Sequence, residues 1–191
     1  MTASQLSVLA HRPPKTGIKA RQRCRTRAGG ARRITLAGFG GQGKTALAQE
    51  AARWLVRTSM FAAAVFVDYA AIQALDAIAV AVANIGSVLG ETLLDADATT
   101  EALRRTPTLV ILDNLEALPP EALRELLDAA VNWSAAGSSR LLCTTRRPTF
   151  DHADYRVEGT RIHRRIQLTG LGNREAPDDA LEWFAEMMRL P

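Results

Sequence analysis

Aromatic residues are scarce in this chain, at 5% of its length, although hydrophobic residues make up 47%. A core built from it must rely on Ala, Leu, Val and Ile. Only two cysteines occur, Cys24 in a basic segment and Cys143 in an apolar, strand-like run. That spacing excludes a disulfide framework and a thiolate metal cage, and it points to a reducing, cytoplasmic setting. No clean membrane span is present: the most apolar stretch, Phe61 to Ile85, is broken by Asp68, Gln73 and Asp76. The start of the chain lacks the apolar region of a secretory signal, and no membrane partner is expected. Acidic residues are missing altogether from residues 1–33, which carry nine arginines and lysines. The formal net charge of +4 comes from that segment, because the remaining residues hold fifteen basic against twenty acidic side chains.

Residues 1–32 read as a disordered basic tail, with Pro13-Pro14, Gly17, Gly29-Gly30 and little apolar periodicity. The tail has the charge to meet nucleic acid, but no aromatic side chains are interleaved for base stacking. Residues 33–191 read as one domain in which strands and helices alternate. Strands are expected at Ile34 to Ala37, Ala63 to Asp68, Leu109 to Asp113, Arg140 to Cys143 and Arg165 to Leu168. Helices are expected at about 43–57, 72–88, 99–105, 119–133 and 176–188. The first of these sets Leu47, Ala51, Trp54 and Leu55 on one apolar face. Continuous apolar strands alternating with amphipathic helices predict an α/β fold of three layers, a mostly parallel sheet covered by helices on both faces.

Residues Gly38 to Thr45 read Gly-Phe-Gly-Gly-Gln-Gly-Lys-Thr. They satisfy G-x-x-x-x-G-K-[ST], the P-loop pattern, with an apolar strand before it and a helical pattern after it. Glycines let the backbone curl so that successive N–H groups face phosphate oxygens, and the following helix adds its positive end. The expected nucleotide contacts are Gly38, Gly40, Gly41, Gln42, Gly43, Lys44, Thr45 and Ala46, with Lys44 on the β- and γ-phosphates and the Thr45 hydroxyl on Mg2+. Asp113, at the end of Leu109-Val110-Ile111-Leu112, has the form of a Walker B carboxylate and is the second expected metal ligand. Asn114 follows where many ATPases carry an acid. An amide can orient water but cannot take a proton near neutral pH, so weak or partner-dependent hydrolysis is expected, with Glu116 as a nearby substitute. Ser138 to Arg146 ends in two hydroxyls and an arginine, and Arg146 suits the γ-phosphate geometrically. Lys44, Asp113, Asn114 and Arg146 are thus the candidate catalytic residues.

Together, Gly-Phe-Gly-Gly-Gln-Gly-Lys-Thr-Ala-Leu-Ala, Leu-Val-Ile-Leu-Asp-Asn-Leu-Glu and Ser-Arg-Leu-Leu-Cys-Thr-Thr-Arg resemble the NB-ARC-type nucleotide-binding domain of the STAND class of P-loop NTPases. Ile166 to Leu171 and Ala180 to Phe184 are similar to the segment closing that core. The resemblance implies a switch that rests with ADP, exchanges it for ATP on a signal, and then opens and often self-associates. Two departures stand out. Residues 1–32 hold no Gly-Arg-Glu stretch to seat adenine. The sequence also stops at Leu190-Pro191, where such proteins continue into helical and winged-helix modules. The expectation is therefore a core truncated at its C-terminus, with protein partners or self-association reached through modules absent from this chain. An oligomeric AAA-type or origin-recognition-type ATPase is the main alternative. A small-molecule phosphotransferase using Arg161, Arg164 and Arg165 fits less well, since it leaves Thr144-Thr145-Arg146 unexplained.

Overall fold

A computed structural model describes residues 30–70, 76–156 and 162–168. Five strands form one sheet: β1 (Arg33–Ala37), β2 (Ala63–Asp68), β3 (Thr108–Asp113), β4 (Arg140–Thr145) and β5 (His163–Gln167). Their order is β2-β3-β4-β1-β5, and every pairing is parallel. All five carboxyl ends therefore share one edge, where open α/β sheets bind ligands.

Alternation along the strands explains the layers. Leu109 and Ile111 of β3, with Ile34, Leu36, Leu142 and Ile166, form a core with α1 (Lys44–Arg57). Val110 and Leu112, with Val65, Val67, Leu141 and Cys143, face the other way. They pack against α2 (Ala77–Leu89), α3 (Ala96–Arg105) and α4 (Pro120–Ala135). β3 is buried along its whole length, as expected for a central parallel strand covered on both sides. Short 3-10 turns at Leu115–Ala117 and Ala153–Tyr155 complete the described segments.

Local chemistry sets the helix ends. Asp76 caps α2 by accepting from the N–H of Ala79, and Asp95 caps α3 by accepting from Ala98. Pro120 opens α4 at its first turn, where a missing N–H costs nothing. Ser139 joins three elements: its hydroxyl accepts from the N–H of Thr108 at 2.9 Å and donates to the Leu103 carbonyl at 2.7 Å.

Several expectations need revision. Trp54, expected on the apolar face of the first helix, is 38% exposed, and Ala48, Ala52 and Val56 fill that face instead. On α2 the buried face is formed by Ala77, Ala81, Val82 and Ile85. α3 starts three residues earlier than expected because Asp95 caps it. β4 runs on through Thr144 and Thr145, and β5 begins at His163. Arg33, counted with the basic tail by charge, opens β1 and is buried. Its guanidinium donates to Ser134 Oγ at 3.1 Å and the Asp154 carbonyl at 3.0 Å. The expected helix at 176–188 lies outside the described residues, as do residues 72–75 of the expected second helix.

Candidate functional site

The loop between β1 and α1 turns at two glycines. Gly41 and Gly43 sit at φ 78° and 80°, a region that side chains rarely adopt, and a Cβ on either would meet nothing within 4 Å. Backbone conformation, and not crowding, is what excludes a side chain at these two positions. Gly38 is the opposite case. A Cβ there would lie 2.3 Å from Gln42 Oε1 and 2.9 Å from the Leu168 carbonyl oxygen. Gly38 is needed for close approach, Gly41 and Gly43 for backbone conformation. Gly43 is the N-cap of α1 and supplies no side chain, so the first-turn N–H groups of the helix have no side-chain acceptor. Ala46 is exposed in that first turn, and Phe39 is 78% exposed at the loop tip.

Lys44 is buried, and its ammonium donates to the carbonyl oxygens of Gly38 at 2.8 Å and Phe39 at 2.9 Å. The cation thus closes the loop on itself. Gln42 Oε1 is buried without a hydrogen-bond donor.

The second part of the site comes from β3. Thr45 Oγ1 lies 2.9 Å from Asp113 Oδ2 and 3.2 Å from Oδ1, bringing together the two residues expected to share a metal. Thr144 on β4 donates to Asp113 Oδ1 from the other side. Asp113 is fully buried. Burial pushes its carboxyl pKa above the ordinary value, the hydroxyls of Thr144 and Thr45 pull it down, and Asp68 and Glu116 push it up again. A nearby cation would relieve that cost. Magnesium takes few protein ligands and completes its shell with phosphate and water, so one hydroxyl and one carboxylate beside a glycine loop suit it. Among the described residues, no group of three His, Cys, Asp or Glu forms an all-protein metal cage.

Asn114 has left-handed backbone geometry, φ 59°, and its side-chain amide is committed. Nδ2 donates to Asp68 Oδ1 at 2.8 Å and to Asp113 Oδ2 at 3.1 Å. Its backbone N–H donates to Thr144 Oγ1 at 3.0 Å. Arg146 stands directly after β4. Its Nε donates to Glu116 Oε1 at 2.9 Å and its backbone N–H to Glu116 Oε2 at 3.1 Å. A Cβ on Gly40 would meet the Arg146 guanidinium at 3.3 Å, so this cation lies against the glycine loop. Glu116, the substitute base suggested by its place in the sequence, therefore has both carboxylate oxygens engaged by Arg146.

Sequence reasoning missed Thr144 and Asp68. Thr144 sat in a quoted motif, but only the register of β4 beside β3 turns its hydroxyl onto Asp113. Asp68 did carry a readable signal. It ends the apolar run Ala63 to Val67 just as Asp113 ends Leu109 to Leu112.

The all-parallel sheet, with a glycine loop opening α1 and a strand-end carboxylate meeting Thr45, defines a P-loop NTPase core. The chain belongs to an AAA domain family, whose profile matches residues 26–145. No curated protein matches the chain. Among solved structures, C. elegans PCH-2 is similar at 19% identity with a TM-score of 0.47, over 73% of this chain and 36% of that one. A chain of the E. coli MS115-1 HORMA:CdnC:Trip13 complex is similar at 14% identity with a TM-score of 0.40, over 73% and 48%. This chain thus spans less than half the length of either. No described helix is long and apolar enough to cross a membrane.

Proposed function

We propose that this chain is a nucleotide-binding core for ATP and ADP with Mg2+, working as a regulatory switch with slow hydrolysis. The observation that carries the reading is the meeting of Thr45 with Asp113 beside a glycine loop that Lys44 bridges. Loop N–H groups and the first turn of α1 would take phosphate oxygens, and Lys44 would move its ammonium from two carbonyls to the β- and γ-phosphates. Thr45 and Asp113 would hold Mg2+, which when bound neutralises charge on the β- and γ-phosphates. Arg146, beside Gly40, is the residue we assign to the γ-phosphate.

The switch reading draws on Arg146 and Glu116. A switch requires contacts that differ between the two nucleotides, since equal affinity shifts nothing. A third phosphate competing with Glu116 for Arg146 would provide such a difference. Slow turnover follows from Asn114, whose amide is already bound to two carboxylates. A second reading, an AAA-type ATPase that works as an oligomer, is favoured by the family match. Calorimetry with ADP and with Mg·ATP tests nucleotide binding, and absence of heat at millimolar ligand would refute it. ADP retained through purification favours the switch. A single-site turnover on the order of 10 s−1, the usual enzyme median, would favour the motor.

A further inference from the structure

Asp68 has no part in the nucleotide and metal contacts assigned to the loop and β3, yet it stands at the same sheet edge as Asp113, its register partner. Its Oδ1 accepts from the N–H of Ala70 at 2.8 Å and from Asn114 Nδ2 at 2.8 Å. Both donors fall on one oxygen, which leaves Oδ2 with no donor among the described residues. The backbone beneath is firmly held. Tyr69, fully buried, donates its N–H to the Asp113 carbonyl at 3.1 Å and its hydroxyl to the Ala77 carbonyl at 2.9 Å. A half-buried carboxylate is thus fixed in orientation with one acceptor oxygen unengaged among the described residues, next to the strand end that carries the metal ligand. Asn114 has no carboxylate to offer: its amide hydrogens are spent on Asp68 and Asp113, which leaves a neutral amide oxygen as its acceptor.

We propose that Asp68 supplies the carboxylate that orients the attacking water in ATP hydrolysis, with Asn114 as the positioning residue that aims it. This rests on the nucleotide-binding reading under Proposed function. Water donates a hydrogen bond to Asp68 Oδ2 and turns its lone pair toward the γ-phosphorus. A bond forms from the water oxygen to that phosphorus. The bond from the phosphorus to the bridging oxygen breaks, and its electron pair leaves on ADP. The proton given up by the water departs with orthophosphate. Placing a water-orienting group on β2 rather than directly after Asp113 accounts for an ATPase site with an amide at 114.

Asp68→Asn is the informative variant. Its amide oxygen can keep both N–H donors, so its nitrogen falls where Oδ2 stood, a donor replacing an acceptor. Binding of Mg·ATPγS, thermal melting and ATP hydrolysis are measured on the wild type, Asp68→Asn, and Asp68→Asn with Asn114→Asp. We expect Asp68→Asn to melt as the wild type does and to bind Mg·ATPγS within about twofold of it. We expect Asp68→Asn to lose at least about tenfold in kcat with KM unchanged, as misplacement of a reactant does. Returning a carboxylate at 114 restores part of that loss. Turnover of Asp68→Asn within twofold of the wild type overturns the assignment, as does a wild type that binds but never hydrolyses. Loss of Mg·ATPγS binding in Asp68→Asn also overturns it, by making Asp68 part of the metal site. A wild type that does not bind Mg·ATPγS removes the nucleotide-binding reading and this assignment with it.

Discussion

Arg146 and Glu116 meet twice, once through the guanidinium Nε at 2.9 Å and once through the backbone N–H at 3.1 Å. The carboxylate of Glu116 is mostly covered, whereas the Arg146 side chain is 64% exposed. One partner is therefore anchored and the other free to leave. Glu116→Gln weakens the hold on the guanidinium. The expected outcome is ATP affinity improved by up to about fivefold with ADP affinity unchanged, the range of an exposed ion pair of up to about 1 kcal/mol. Arg146→Ala should weaken ATP and leave ADP alone. Calorimetry with both nucleotides reads the pair, and equal shifts for ATP and ADP would count against Arg146 as a γ-phosphate contact.

Lys44 carries the largest expected effect on binding. Lys44→Ala removes the charge that closes the loop and leaves the Gly38 and Phe39 carbonyls without their donor. The Gly38 carbonyl is buried, so some loss of stability should accompany the change. Nucleotide affinity should fall on the order of 100-fold, the scale of a lost charge-assisted contact of about 2–3 kcal/mol. Unchanged affinity in a fluorescent-nucleotide titration would defeat the loop assignment.

Two glycines in the same loop should respond differently to alanine. Gly43→Ala meets open space but a left-handed backbone, at a cost of about 1–2 kcal/mol. Gly38→Ala places a methyl 2.9 Å from a backbone oxygen of Leu168, which cannot swing away. Denaturant unfolding should rank Gly38→Ala as clearly the more damaging. The reverse ranking would show that the chain around Leu168 yields easily.

Thr144→Val tests the central carboxylate. Valine keeps the shape but removes the donor to Asp113 and the acceptor of the Asn114 N–H. Loss of roughly 1–3 kcal/mol of stability is expected, the cost of leaving buried polar groups unmade. Mg2+-dependent nucleotide binding should weaken in parallel, while any Mg2+-independent binding stays.

His163 predicts a pH dependence of stability. Burial lowers its pKa from 6.5 to about 4, aided by Arg33 and Arg165, although backbone contacts to Tyr155 and Arg156 oppose the shift. The ring stays neutral in the fold and gains a proton on unfolding. Its contribution is present above pH 6.5 and is lost progressively as pH falls toward 4, on the order of 3 kcal/mol. Asp113, with its pKa raised, pulls the other way: it favours the fold at low pH and less so as pH rises. Comparing wild type with His163→Gln from pH 7 to 4.5 isolates the histidine. A flat difference between the two melting profiles would refute a destabilising protonation of His163.

Much of the fold was legible because its signals are local. Apolar runs ended by Asp68 and Asp113 marked strands, and the glycine pattern before Lys44 marked the loop. What stayed hidden depends on neighbours far away in the chain. The hydroxyl of Thr144 reaches Asp113 only because β4 lies beside β3, a fact of strand order that no short window contains. The commitment of Glu116 to Arg146 joins residues thirty positions apart. Trp54 fitted a helical stripe, yet the sheet beneath α1 accepts the smaller Ala48 and Ala52 at closest approach and leaves the indole at the margin.

Burial of Arg33 gives the molecule a direction. Strands that all point the same way have two unlike rims, and β1 begins at the rim remote from Lys44, about 17 Å of extended backbone away. A nucleotide cradled by the loop would therefore leave Arg33 and its partners Ser134 and Asp154 untouched at the opposite rim.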